Sequence, residues 1–153
     1  MKIIIKNLKV FSQNIHKNHL FINIILENQK EFDILFIQEL PWSIIRSILS
    51  ITLSEGEEIV GAPNHLSWIT FTRYLSLGDE HPRVITYIKS DFSSLCFSLR
   101  KDIYNYRVIN LISFVNSGSV FYLLNMYFND HQSALKYLKN TEANLSNVII
   151  IIS

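Results

Sequence analysis

Three polar side chains stand where apolar, strand-like runs end: Asn14, Glu39 and Tyr127. Glu39 follows the run Asp33-Ile-Leu-Phe-Ile-Gln38, so a rigid element would hold its carboxylate at the edge of a cleft. Mg²⁺ takes few protein carboxylates and keeps several waters, so one Glu with an amide nearby makes a plausible site. Asn14 supplies that amide if its strand lies parallel to, and beside, the strand before Glu39. Tyr127, within Asn125-Met-Tyr-Phe-Asn-Asp130, carries a phenol that can donate to a phosphate oxygen, with Asn129 or Asp130 to assist. Each residue alone has a commoner use: a solvated carboxylate opening a loop, an Asn suited to turn geometry, a Tyr with packed ring and wet hydroxyl. What joins them is a shared place at strand ends, in the order strand, helix, strand and later strand.

Other reactive residues add little. His16 and His19 have no Cys or second His pair to complete a zinc site. Cys96, beside Phe97 in an apolar stretch, reads as a buried structural thiol. There is no Gly-rich phosphate loop, no CxxC and no Ser/His/Asp set in motif context. Trp42, Trp68 and Tyr74 could stack on bases, and core packing accounts for them equally well.

The elements that must position the three residues follow from periodicity. In residues 8–15 (LKVFSQNI), Val10 and Ser12 share one face of a strand and Phe11 takes the other. Between 18 and 28, Leu20, Phe21, Ile24 and Ile25 recur at helical spacing, which predicts a helix burying that face. Residues 33–39 read as a strand covered on both sides. Pro41 stops it, and a short helix is expected over 42–51. Gly56, Gly61 and Pro63 punctuate a middle region with strands expected over 68–74, 83–88 and 94–99. Residues 107–115 and 120–127 flank Asn116-Ser-Gly-Ser119, a hairpin in which Gly118 can take a positive φ. Ser133 would cap a helix to about residue 144. Residues 148–152 (VIIII) read as a buried, central strand. The class is layered α/β with a mixed sheet, whose ligands gather at the carboxyl ends of strands.

Composition sets outer bounds. The 153 residues, 48% hydrophobic and 18% charged, suffice for one domain with a real core. Fourteen Lys+Arg against 13 Asp+Glu give a net charge of +1, which argues against a strongly basic nucleic-acid cradle. One cysteine excludes an internal disulfide and suits a reducing, intracellular setting. No apolar run approaches the ~20 residues of a membrane span, so no membrane partner is expected.

Taken together, Gln13-Asn14-Ile15, residues 33–39 and Asn125-Met-Tyr127 resemble successive motifs of the endonuclease/exonuclease/phosphatase superfamily. The likeness is to the amino-terminal endonuclease domain of LINE-like (non-LTR) retrotransposon polyproteins, particularly fungal ones. Gly61-Ala-Pro-Asn-His65 with Ser67-Trp68, Pro82-Arg-Val-Ile-Thr-Tyr87 and Ser133-Ala-Leu-Lys-Tyr-Leu138 resemble that group too. The resemblance implies a four-layer α/β sandwich, two mixed sheets face to face with helices outside. Residues 1–153 would form a single partial domain of it. It implies Asn14 as the active-site amide near the metal, Glu39 as the Mg²⁺ carboxylate and Tyr127 as a hydrogen-bond partner of the scissile phosphate. DNA would be the substrate, hydrolysed by in-line attack of water, and a nuclear location would follow for an active retroelement.

Two departures qualify that expectation. The family's Tyr-x-Pro-Asn stands here as Tyr127-Phe-Asn-Asp130, so Asn129 or Asp130 would match the family's Asn. The Gly-Asp-x-Asn and Ser-Asp-His motifs do not occur in the 153 residues. A chain without them is expected to be inactive, with an uncovered sheet face or edge through which it could self-associate. Two other readings compete. One is a non-catalytic α/β interaction module, and the other is a phosphoesterase of the same superfamily acting on a small phosphoester.

Overall fold

The computed structural model describes residues 8–40, 51–52, 57–59, 65–71, 75–76, 81–92, 97–100, 109–116, 118–127 and 148–152. In chain order the elements are β1 (Val10–Asn14), α1 (His19–Asn28), β2 (Ile34–Gln38), β3 (Ile51–Thr52), β4 (Glu57–Ile59), β5 (Trp68–Phe71), β6 (Leu75–Ser76) and β7 (Val84–Lys89). They continue with a 3-10 turn (Ser90–Phe92), then β8 (Phe97–Leu99), β9 (Ile109–Asn116), β10 (Ser119–Met126) and β11 (Val148–Ile152). Of the helix expected over 42–51, residues 42–50 lie outside the described residues and Ile51 opens the strand β3 instead. The helix expected over 133–144, and Trp42, Tyr74, Cys96, Asn129 and Asp130, also lie outside them.

Two four-stranded mixed sheets carry the fold, ordered β1-β2-β7-β5 and β11-β10-β9-β8, beside a small antiparallel sheet β3-β4-β6. The mixed α/β class expected from the sequence is what forms. In the first sheet β1 and β2 run parallel, with Asn14 beside Gln38, and β7 returns antiparallel with Val84 beside Gln38. All five residues of β2 are buried, as its unbroken apolar run requires of a strand covered on both faces. One face, with Leu35, Ile37, Ile85 and Tyr87, packs under α1 through Ile22, Ile25 and Leu26. The other, with Ile34, Phe36 and Ile88, meets Ile112, Phe114 and Leu123 of the second sheet.

Helix α1 starts where Asn18 caps it, its side chain accepting the Leu20 N–H at 3.1 Å. Of the expected stripe, Ile25 is buried and the other three residues are not. Ile22, Ile25 and Leu26 point inward while Leu20, Phe21 and Ile24 are exposed. Both sets satisfy helical spacing, so periodicity could not choose between them. The choice comes from the register in which Asn18 and the buried Ile15 deliver the chain onto the sheet. Trp68 anchors the helix further, donating its indole N–H to the Leu26 carbonyl at 2.9 Å, so it is a core residue rather than a base-stacking platform.

Both the expected hairpin and the expected last strand form. The β9–β10 hairpin forms as anticipated, with Gly118 at φ +82. Strand β11 forms and pairs parallel with β10. No helix among the described residues is long and apolar enough to cross a membrane.

Candidate active site

The parallel pairing of β1 with β2 brings two chain segments off the sheet side by side. Beyond the strands, Ile15 N–H donates to Gln38 O at 3.1 Å and Lys17 N–H to Glu39 O at 2.8 Å. To hold this path, His16 (φ +48), Lys17 (φ +62) and Glu39 (φ +54) all take left-handed backbone conformations. These cost non-glycine residues roughly 1–2 kcal/mol each. They are the only positive-φ non-glycine residues among those described, and such strain tends to gather at functional sites. Asn14 braces the turn, its side-chain oxygen accepting the His16 N–H at 2.9 Å.

Glu39 is the centre of the cluster, with its side chain 18% exposed. Its Oε1 accepts the Tyr127 hydroxyl at 2.6 Å and lies 4.0 Å from Arg83 Nη2. Its Oε2 lies 3.5 Å from His16 Nδ1. Arg83 donates to the Tyr127 oxygen at 3.1 Å and lies over the Tyr127 ring, 4.2 Å from the centroid. The Tyr127 oxygen therefore accepts from a cation and donates to an anion, so each hydrogen bond polarises the other. The Tyr127 hydrogen bond holds the Glu39 carboxyl below its ordinary range. Partial burial opposes this, while the Asn14 amide and the nearby His16 and Arg83 charges reinforce it.

Buried amides position this rim. Gln38 donates to Asn125 Oδ1 at 2.8 Å and to Ser12 Oγ at 3.1 Å. Asn125 donates to the Ile85 carbonyl at 2.8 Å and to Thr86 Oγ1 at 3.3 Å, and Thr86 donates to Asn110 Oδ1 at 2.6 Å. The ladder ties β1, β2 and β7 of one sheet to β9 and β10 of the other, fixing strand ends that carry Asn14, Glu39 and Tyr127. Among the described residues, Gln38 Oε1 is buried and has no hydrogen-bond partner.

Asn14, Glu39 and Tyr127 thus converge from separate elements, as their shared strand-end positions suggested. Asn129, the fourth expected residue, lies outside the described residues. His16 and Arg83 were not anticipated at this place. Arg83 was legible in principle: it precedes β7, and antiparallel pairing puts the start of β7 beside the end of β2. His16 sits two residues beyond Asn14, and only the positive-φ turn swings it to Glu39.

One carboxylate with one amide carbonyl is an all-oxygen donor set that fits Mg²⁺, which keeps most of its waters. Asn14 Oδ1 has a second lone pair beyond the one facing His16 N–H. Among the described residues no three His, Cys, Asp or Glu side chains gather as a closed metal cage.

No family model matches the chain, and no curated protein sequence matches it either. Solved structures do. The endonuclease domain of TRAS1, a telomere-specific non-LTR retrotransposon, superposes on 93% of the chain with a TM-score of 0.57 at 13% identity. The likeness is one of fold: the chain shares the fold of that endonuclease domain. A humanized TDP2 of D. rerio is similar over 95% of the chain at 14% identity, with a TM-score of 0.44. The chain spans 56% of the TRAS1 domain and 60% of the TDP2 chain. Within this fold the paired sheets place the Glu39 cluster at the carboxyl ends of β1, β2 and β10, where α/β sheets present their chemistry.

Proposed function

We propose that this chain carries the metal- and phosphate-facing part of a metal-dependent phosphodiester hydrolase acting on DNA. The observation that supports it most is the 2.6 Å hydrogen bond from Tyr127 to Glu39, joining residues 88 positions apart on two different sheets. A phenol and an ionised carboxylate brought together in this way suit a phosphate next to a hard cation. Glu39 and Asn14 would hold Mg²⁺, which when bound would neutralise charge developing on the phosphoryl oxygens. Tyr127 would direct its hydroxyl to a non-bridging phosphate oxygen, and Asn129 would assist it. The likeness to a retrotransposon endonuclease supports DNA over a small phosphoester as the substrate.

None of Asn14, Glu39 and Tyr127 is a base suited to deprotonating the attacking water. The motifs that supply such groups in this superfamily are missing from the 153 residues. Positioned acid–base groups contribute about 10²–10⁴-fold each, so turnover by these residues alone is expected to be negligible. Mg²⁺ should raise the melting temperature of the wild-type chain and leave Glu39→Gln unmoved. Supercoiled plasmid should remain intact with either protein. A Mg²⁺ shift that survives Glu39→Gln would remove the metal assignment. Nicking by the wild type that Glu39→Gln abolishes would overturn the inactivity.

A further inference from the structure

We infer that Arg83 is a substrate-phosphate ligand, which together with Tyr127 forms a two-pronged grip on one phosphodiester group. The inference deepens the hydrolase reading and rests on it. Arg83 stands at the entrance to β7, and its side chain, 30% exposed, lies over the Tyr127 ring with Cζ 4.2 Å from the centroid. The ring contact and one Nη2–H bond to the Tyr127 oxygen together hold the guanidinium in place. A guanidinium carries five N–H donors in a rigid fork that matches a phosphate bidentately. Here its hydrogen bond among the described residues is to the Tyr127 oxygen, and Glu39 is 4.0 Å away, too far for a paired-fork salt bridge. The cation is therefore aligned by Tyr127 and only loosely engaged by the carboxylate. A phosphate oxygen approaching the Tyr127 hydroxyl would meet the guanidinium edge at the same point.

A purely structural role is the competing account, in which Arg83 only clamps the Tyr127 ring. The two differ in salt dependence. A phosphate contact adds about one to the slope of log affinity against log salt, whereas a ring clamp leaves that slope alone. The test is fluorescence anisotropy of the full chain with a short labelled DNA duplex in EDTA, across a NaCl series. Arg83→Gln should raise Kd about 10-fold and flatten the slope by about one. Arg83→Lys should keep the slope, because the charge remains, with an intermediate Kd because the fork is lost. Unchanged melting temperatures in both variants show that the fold is not the cause.

Equal salt slopes for wild type and Arg83→Gln overturn the inference while leaving the hydrolase reading in place. Failure of the wild-type chain to bind the duplex overturns it too. If Mg²⁺ still stabilises the wild type through Glu39 in that case, the metal part of the hydrolase reading stands. If it does not, both fail together.

Discussion

The space between the two main sheets has two ends of opposite character. At the hairpin end, Phe114 stacks between Phe97 and Phe121, with ring centroids 5.3 and 5.4 Å apart, and Ile34, Ile88 and Ile112 complete an apolar fill. At the other end the same strands, in the same alternation, present Ser12, Gln38, Thr86, Asn110 and Asn125, and beyond them the Glu39 rim. The backbone follows the same division. A turn needing positive φ uses Gly118 at the hairpin end, while the site end forces His16, Lys17 and Glu39 into comparable conformations. The apolar end stabilises and tolerates variation, since hydrophobic contact is non-directional. The polar end specifies: hydrogen bonds of fixed length decide which strand ends meet.

Breaking the apolar end should have the largest effect on stability and the least on the site. Phe114→Ala should lose about 3–5 kcal/mol in urea unfolding. The Mg²⁺-induced shift in melting temperature should remain wherever the chain is still folded. If that shift vanished, the two ends would not be separable.

Next comes Asn125→Ala, which strips partners from Gln38 and from the Ile85 carbonyl. A loss of about 3 kcal/mol is expected, because unpaired buried polar groups cost about 1–3 kcal/mol each. A double-mutant cycle with Gln38→Ala should show a coupling of at least ~0.5 kcal/mol. Strict additivity would mean the amide ladder does not act as a unit.

Tyr127→Phe should cost about 1.5 kcal/mol at neutral pH, the range for hydrogen bonds to charged groups. Glu39 has a folded pKa below its unfolded one, with the Tyr127 hydrogen bond as the main cause. Its contribution is thus present above the unfolded value, about 4.3 for Glu, and is lost as pH falls through the lowered folded value. The stability gap between wild type and Tyr127→Phe should therefore close in acid. A gap that stayed constant with pH would mean that the hydrogen bond does not favour the ionised carboxylate.

The smallest effects should come from the two turns and have opposite signs. Nothing lies within 4 Å of a Cβ built at Gly118, so Gly118→Ala should cost about 1 kcal/mol from backbone conformation alone. Lys17→Gly, relieving φ +62, should be neutral or gain up to ~1 kcal/mol. Two losses of equal size in thermal melts would show that Lys17 is not strained.

Much of this arrangement was legible before folding. The unbroken run before Glu39 implied a doubly covered strand, the alternation in β1 placed Val10 and Ser12 opposite Phe11, and Gly118 marked its hairpin. These are local consequences of side-chain period and steric freedom, and they put Asn14, Glu39 and Tyr127 at strand ends. Which apolar stripe of α1 turns inward was not determined, because Leu20/Ile24 and Ile22/Leu26 have the same spacing. Nor was the approach of His16 and Arg83 to Glu39. Those depend on which strands pair and which way they run, a contest among distant segments that only the assembled sheets resolve. The sequence alone determined that a carboxylate, an amide and a phenol end three strands. Tertiary structure decided that the three meet, because parallel pairing of β1 with β2 and the buried amide ladder between the sheets bring those ends to one point.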